Sequence, residues 1–206
     1  MQIIRIKKIK TTLKRTESMV KKIVFLDRDG VINRDPNGYV MSWKGFHFLP
    51  NVKKALRVLS ESGFRLIVIS NQGGISKGLF TKEALNNITK KMLLAVSKSG
   101  GRISSVWYCP HKLEDNCSCK KPKTGLFKMA TKGIKFNKKD SFFIGDSEVD
   151  VRAGKRFGIG TILVFSGKTK RKDLKKFKVK PDYTVGNLLD TIKIILKRAL
   201  KKSEDI

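Results

Sequence analysis

Residues 23–26, Ile-Val-Phe-Leu, run straight into two carboxylates two positions apart, Asp27 and Asp29, and Gly30 follows at once. A short run that is β-branched and aromatic and closes on glycine reads as a buried β-strand. Gly30 lets the backbone leave the strand sharply, with no Cβ in the way. In an open α/β sheet the carboxyl ends of the strands face the ligand crevice, so this strand delivers Asp27 and Asp29 to that edge. Two carboxylates there can divide a reaction, one attacking while the other donates and then takes back a proton. A plain aspartate–glycine turn has the same local sequence. The rest of the chain must decide between them.

The pattern recurs. Val52, Ala55, Leu56 and Leu59 share one helical face that begins after Pro50 and stops at Gly63. Phe64 to Ile69 is a second apolar run, ending in Ser70-Asn71-Gln72-Gly73-Gly74. A helix follows from a Thr81 N-cap through Leu85, Ile88, Met92 and Leu93 to Ser97. Residues 103–108 form a third strand that enters a cysteine-rich loop. A helix over 125–132 leads to a strand over 141–144 and to Gly145-Asp146. A helix over 149–157 leads to a fifth strand over 161–165. Leu188, Leu189, Ile192, Ile195, Leu196 and Ala199 line the apolar face of a closing helix over 188–200. Strands alternating with helices predict an α/β fold with a doubly wound, mainly parallel sheet.

Neither an internal repeat nor a long linker divides the chain, and 206 residues suit one domain with ample core. The domain is expected over 19–206. Residues 1–18 read as a basic N-terminal extension, either a flexible tail or an upstream extension from a misplaced start codon.

No uninterrupted apolar run approaches the ~20 residues of a membrane span. The first residues mix lysines through their apolar positions and lack a signal-peptide core. The expectation is a cytoplasmic protein with no membrane partner. The formal charge of +29 is spread along the chain, densest at 7–10, 168–180 and 193–202. Three readings fit it: a solvated lysine-rich surface, attraction of small phosphorylated substrates, or contact with nucleic acid or a membrane.

Three cysteines in one short segment argue against a disulfide framework and for a reducing compartment. Cys109-Pro-His111 and Cys117-Ser-Cys119 place three thiols and an imidazole within eleven residues. Such a set of four is what a closed tetrahedral Zn²⁺ site requires. A Cys117–Cys119 disulfide would be strained and would strand Cys109. Zinc here would pin a loop with no core of its own and fix Lys120 and Lys121 beyond it. His47 reads as an ordinary loop residue.

Polar groups recur where strands stop: Asp27 and Asp29, Ser70 and Asn71, then Asp146. Buried parallel strands have little use for them except at the crevice. Lys121 adds a compact positive charge for a phosphoryl group. Asp146 converging on Asp27 makes a hard oxygen site suited to Mg²⁺, with Asp150 four residues on.

The motifs DRDG, SNQ, KKP and GDSEVD, in that order, resemble those of the haloacid dehalogenase-like phosphatases. FLDRDGVIN, GYV, SNQGGISKG and CPH…CSCKKPKTGLF narrow the resemblance. They look like the heptose 1,7-bisphosphate phosphatases and their histidinol-phosphate relatives. The resemblance spans residues 19–164. It implies a Rossmann-like fold without a large cap domain, a monomer with an open site, and a zinc-binding loop at Cys109, His111, Cys117 and Cys119. It further implies Asp27 as nucleophile forming an aspartyl-phosphate and Asp29 as general acid/base. Ser70 and Lys121 would neutralise the phosphoryl group. Mg²⁺ would be held by the Asp27 side chain, the Asp29 carbonyl and Asp146, with Asp150 orienting its neighbours. Asp35, Tyr39, Asn71, Gln72, Gly73 and Lys120 form the implied substrate-binding set.

The chain departs from the heptose pattern at Lys120, where arginine is usual, and at Ser147, where lysine is usual. Val31 replaces a threonine, and the loop Asp35-Pro36-Asn37-Gly38-Tyr39 is one residue longer. The expected partner is a small phosphorylated substrate, most simply the C7 phosphate of a heptose 1,7-bisphosphate. Histidinol phosphate and 3′-phosphorylated nucleic-acid ends are the rivals on the same fold. A non-catalytic nucleic-acid-binding module is the rival from another class.

Overall fold

The computed structural model of the chain describes residues 4–7, 22–36 and 38–200, with side chains for 22–36 and 38–198. Asn37 and most of the 1–18 extension lie outside these residues, as does the Ala199 side chain.

Within them, β1 (Ile4–Lys7), β2 (Ile23–Leu26), β3 (Arg65–Asn71), β4 (Ile103–Cys109), β5 (Phe142–Gly145), β6 (Gly160–Val164) and β7 (Tyr183–Val185) form one sheet. Their order is β1-β4-β3-β2-β5-β6-β7. Strands β2 to β7 are parallel, and β1 closes one edge antiparallel to β4.

The alternation along β2 shows why the sheet is covered on both faces. Val24 and Leu26 enter one core with Leu66, Val68 and Ile144, packed by α1 (Val52–Glu61), α2 (Lys82–Lys98) and α5 (Thr191–Leu200). Ile23 and Phe25 enter the other with Ile67, Ile69 and Phe143, packed by α3 (Gly125–Ala130) and α4 (Glu148–Phe157). Every β2 residue is buried, so alternate side chains feed opposite cores, as a two-faced parallel sheet demands. On the second face Phe127 meets Phe25, Phe143 and Phe157 with ring centroids 5.0–5.1 Å apart.

The order of strands locates the crevice. The chain builds outward from β2 through β3 to β4, then returns to β5 on the other side of β2 and continues to β6 and β7. Connections from β2 and β5 therefore diverge, and the gap above their carboxyl ends is the switch point where ligands bind. Asp27 lies one residue past β2 and Asp146 one past β5.

The predicted doubly wound sheet and its five strands are present. Two edge strands were not foreseen. β1 arises within the 1–18 stretch, and β7 is three residues long with no fully buried side chain. Ser70 and Asn71 belong to β3 itself, and α5 starts three residues later than predicted. The Thr81 side chain accepts from the Ala84 amide at 3.1 Å, the expected cap. Residues 27–51, between β2 and α1, hold one 3-10 turn, Trp43–Gly45, and no cap-sized domain among the residues described.

Candidate active site

The main chain fixes Asp27 first: its amide donates to the Ile144 carbonyl at 2.9 Å, extending the β2–β5 ladder one step past the strand. Asp27 Oδ1 accepts from the Arg28 amide at 2.8 Å and meets Lys121 Nζ at 3.0 Å. The Ser70 hydroxyl favours the charged form of the Asp27 carboxyl and accepts from Gln72 Nε2 at 3.2 Å. Lys121 is buried, and its Nζ lies 2.7 Å from Asp150 Oδ1. Its backbone is gripped from both sides by Asn71, which accepts from Lys121 N–H at 3.0 Å and donates to its carbonyl at 3.2 Å.

Asp146 sits against two glycines. A Cβ at Gly30, whose φ is +78°, or at Gly167 would lie 2.2 Å from Asp146 Oδ2. Only bare backbone fits on either side of this carboxylate. The Lys168 amide donates to the same oxygen at 2.7 Å. Asp150 Oδ2 accepts from the Ser147 hydroxyl at 2.6 Å and the Ser147 amide at 3.2 Å, closing the first turn of α4.

Oxygens of Asp27, Asp146 and Asp150 all lie within 4.8 Å of one another. Three carboxylates against one lysine leave negative charge unmatched, and burial makes that costly. Burial pushes the Asp27 carboxyl up to about 6, with Asp150 and Asp29 adding to the rise and Lys121 opposing it. Asp146 is pushed up to about 8 by burial, then by Asp150 and Asp27. For Lys121 burial works against the charge, but Asp150 and Asp27 outweigh it, so its pKa rises and the ammonium persists. An all-oxygen donor set short of positive charge fits a hard divalent cation. Asp150 is already committed to Lys121 and Ser147, which leaves Asp27 and Asp146 as the freer donors.

Asp29 is held differently. The fully buried Arg28 gives its Nε to Asp29 Oδ1 at 3.1 Å and its Nη2 to both carboxylate oxygens at 2.9 Å. Asn33 Nδ2 adds 2.8 Å to Oδ1, and Gln72 Nε2 adds 2.8 Å to Oδ2. The Arg28 guanidinium also lies over the Tyr108 ring at 5.7 Å, and the Tyr108 hydroxyl pairs with Thr89 at 2.8 Å. This clamp fixes the carboxylate without using Lys121.

A cleft of about 540 Å³ opens above these groups. Asp27, Asp29, Asp35, Tyr39, Ser70, Asn71, Lys121 and Asp146 from the sequence-derived set all line it. Three residues of that set stand elsewhere. Gln72 is buried behind Asp29, while Lys120 Nζ donates to the His111 carbonyl at 2.9 Å. Gly73 lets that loop pack close, since a Cβ there would lie 2.9 Å from the same carbonyl oxygen. Sequence reasoning passed over Arg28, Asn33 and the 166–173 segment. The pairs Gly167-Lys168 and Asn33-Arg34 were visible, but their contacts with Asp146 and Asp29 are long-range or turn-built.

The cysteine loop gathers its donors. Cys119 Sγ lies 3.2 Å from Cys109 Sγ, 3.4 Å from Cys117 Sγ and 3.1 Å from His111 Nδ1. Cys109 is 3.5 Å from His111 Nδ1 and 3.6 Å from Cys117. The Cys119 hydrogen bond brings the Cys109 thiol down to about 5, while the same bond and burial push Cys119 up. One thiolate is welcome and the next is resisted, a repulsion that a shared cation removes. Three sulfurs and one imidazole nitrogen at these separations fit a tetrahedral zinc ion. His47 is exposed and far from this set in sequence.

Residues 118–191 match the HAD-hydrolase-like family model. The D-glycero-β-D-manno-heptose-1,7-bisphosphate 7-phosphatase of Haemophilus ducreyi is 34% identical over 182 residues, covering 84% of this chain and 98% of that one. The enzyme of the same name from Vibrio cholerae is 37% identical over 158 residues, covering 73% and 84%. The crystal structure of the D,D-heptose 1,7-bisphosphate phosphatase from B. bronchiseptica, complexed with magnesium and phosphate, superposes with a TM-score of 0.80. That protein is 30% identical, and the match covers 85% of this chain and 98% of it. With the carboxylates gathered at the switch point and relatives matched over nearly their whole length, the chain belongs to the haloacid dehalogenase-like hydrolases, as one of the family's phosphatases.

Proposed function

We propose that this protein removes the C7 phosphate of D-glycero-β-D-manno-heptose 1,7-bisphosphate through an aspartyl-phosphate on Asp27. The observation that carries the reading is the Asp27–Lys121–Asp150 arrangement beside Asp146, in a chain that covers 98% of a relative bearing that activity in its name. Phosphoryl transfer asks a protein mainly for positioning and charge neutralisation, and this site offers both.

Asp27 is oriented before attack, because its Oδ1 is already tied to Arg28 N–H and Lys121. Its carboxylate forms a bond to phosphorus as the bond from phosphorus to the C7 oxygen breaks. Asp29 gives that oxygen a proton, then takes one from the water that cleaves the aspartyl-phosphate, which restores both carboxyls. Lys121 and the Ser70 hydroxyl face the negative charge on the moving phosphoryl group. Asp27, Asp146 and the Asp29 carbonyl are the groups that would hold Mg²⁺. When bound, that ion supplies charge neutralisation at the phosphoryl oxygens. Asp35 and Tyr39 on the cleft wall would meet the sugar. Cys109, His111, Cys117 and Cys119 would hold a structural zinc ion, keeping Lys121 at its station. The site is complete within one chain, which suits a monomer, and reduced thiols suit the cytoplasm.

The test is phosphate release with Mg²⁺ for both heptose 1,7-bisphosphate anomers, histidinol phosphate and a 3′-phosphorylated oligonucleotide. The β anomer should lead the non-heptose substrates by about a hundredfold in kcat/KM, about 2.7 kcal/mol of transition-state discrimination. A lead by histidinol phosphate or the oligonucleotide would overturn the sugar assignment.

Asp27→Asn should lower kcat by more than about a thousandfold, since an amide cannot replace the nucleophile. Circular dichroism and zinc content should stay unchanged. Turnover near wild type would remove Asp27 from its role.

The raised carboxyls also give a signed pH effect. In metal-free protein, Asp27 and Asp146 titrate at about 6 and about 8, above their value of 3.8 in the unfolded chain. The folded state then holds protons that the unfolded chain releases. Their favourable contribution is whole below about pH 4 and is lost as pH rises through 6 and 8. Thermal melts should therefore show Mg²⁺ raising Tm more at pH 8 than at pH 5. Equal shifts at the two pH values would contradict a carboxylate site.

Stripping zinc with a thiol-compatible chelator, followed by excess Mg²⁺, should lower Tm by several degrees and reduce kcat, with zinc alone restoring both. Full activity in zinc-free protein would refute the positioning role of the loop.

A further inference from the structure

We propose that residues 168–180 form a basic collar that gathers multiply charged phosphate esters at the mouth of the cleft, an inference that rests on the phosphatase reading above. The cleft itself repels anions. Its lining holds seven carboxyl groups and two lysines, a formal charge of −5 that the buried Arg28 behind Asp29 reduces to −4, and one of those lysines is engaged by Asp27 and Asp150. A single divalent cation leaves that sum negative. Each substrate phosphate brings about −1.5 to −2. Attraction at longer range must come from outside the lining.

The 168–180 segment supplies it. Leaving out Lys168 and Asp173, already counted in the lining, seven lysines and arginines stand there with no acid among them, a formal charge of +7, and all seven are exposed. The segment is tied to the site at both ends. At its start the Lys168 amide donates to Asp146 Oδ2 at 2.7 Å and the Thr169 amide to the Asp146 carbonyl at 3.3 Å. At its far end the Lys178 and Val179 amides both donate to Glu148 Oε1, at 2.7 and 3.3 Å. Asp146, just past β5, and Glu148, the first residue of α4, are two residues apart, and both line the cleft. The segment thus leaves the rim and returns to it, with the 3-10 turn Arg171–Lys176 between its anchors. Lys168, Thr169 and Asp173 reach the lining itself. Arg171 lies over the Phe165 ring at 4.8 Å, which steadies the outward run.

A fixed positive rim around a negative floor concentrates polyanions at the entrance and leaves the chemistry to Lys121 and the metal carboxylates. Its reach is the screening length, about 10 Å at 0.1 M salt. The collar should therefore act on capture, grow with substrate charge and fade with salt.

The test compares two triple variants of the full chain. One is Lys172→Gln/Lys175→Gln/Lys176→Gln in the collar. The other is Lys82→Gln/Lys90→Gln/Lys98→Gln on α2, a helix that contributes nothing to the cleft lining. At low ionic strength the collar variant should lose about tenfold in kcat/KM for the heptose bisphosphate, with kcat unchanged and a flatter salt profile. The α2 variant should change less than about twofold. With p-nitrophenyl phosphate, a single dianion, the same effect should appear with a shallower slope. Equal losses in both variants would reduce the collar to net charge and overturn it. So would a fall in kcat, or an unchanged kcat/KM in the collar variant, including one accompanied by lost nucleic-acid binding. If the bisphosphate is not hydrolysed at all, the sugar assignment fails instead. The collar is then judged on the aryl phosphate, where a flat salt profile refutes it.

Discussion

The buried Lys121 ammonium is the contact on which the site depends. It lies 3.0 Å from Asp27 and 2.7 Å from Asp150, two carboxylates that reach it from β2 and α4 on either side of the switch point. A lysine at 4% exposure has no water to fall back on, and an isolated charge there would be driven to neutrality. Two carboxylates hold it charged. The converse also applies: without Lys121, Asp27, Asp146 and Asp150 would crowd three like charges into one buried space. The arrangement does not maximise stability, because repulsion remains in it. That unmatched negative charge is what the proposed divalent cation would neutralise.

Much of the surrounding structure serves to keep Lys121 in place. Asn71, at the end of β3, brackets its backbone from both sides. Two residues upstream, Cys119 is packed into the second core beside Leu126 and Phe127. The cysteine cluster therefore joins the lysine loop to the hydrophobic interior as well as to its own four donors. The loop is also stitched to the end of β3, since the Gln72 amide donates to the Cys109 carbonyl at 2.7 Å and Ser76 to the Pro110 carbonyl. Lys120 completes this by donating to the His111 carbonyl at 2.9 Å.

How far the sequence revealed this depended on the range of the interaction. The central strands and their polar ends were legible because a buried parallel strand must be apolar along its length and must stop at the crevice. The carboxylate cluster and the cysteine cluster were legible because few other uses exist for those residue types at those spacings. The edge strands were not. β7 is three residues of Tyr, Thr and Val with Thr184 exposed, too short to show a period, and β1 lies in a lysine-rich stretch that reads as a tail. Arg28 was missed for a physical reason: between two aspartates an arginine looks like a spacer or surface charge. Its burial depends on Tyr108, 80 positions away, and on Gln72.

Arg28 also explains how two aspartates two residues apart come to sit in different surroundings. Asp27 points to Lys121 and shares the field of Asp146 and Asp150, so its charge is contested. Asp29 is surrounded by donors alone, from Arg28, Asn33 and Gln72, each locked in turn by packing or by a further hydrogen bond. The turn at Gly30 creates this split. With φ at +78° it carries the chain past Asp146 and lets Asn33 fold back onto Asp29, while the Asn33 carbonyl accepts from the Gly30 amide at 2.7 Å. A side chain at position 30 would collide with Asp146, so Asp146 and the turn that carries Asp29 can approach each other only across a glycine. One residue without a Cβ thus lets Asp27 and Asp29, past the end of β2, and Asp146, past the end of β5, come together in separate electrostatic surroundings, the division of labour that the proposed two-step phosphoryl transfer would use.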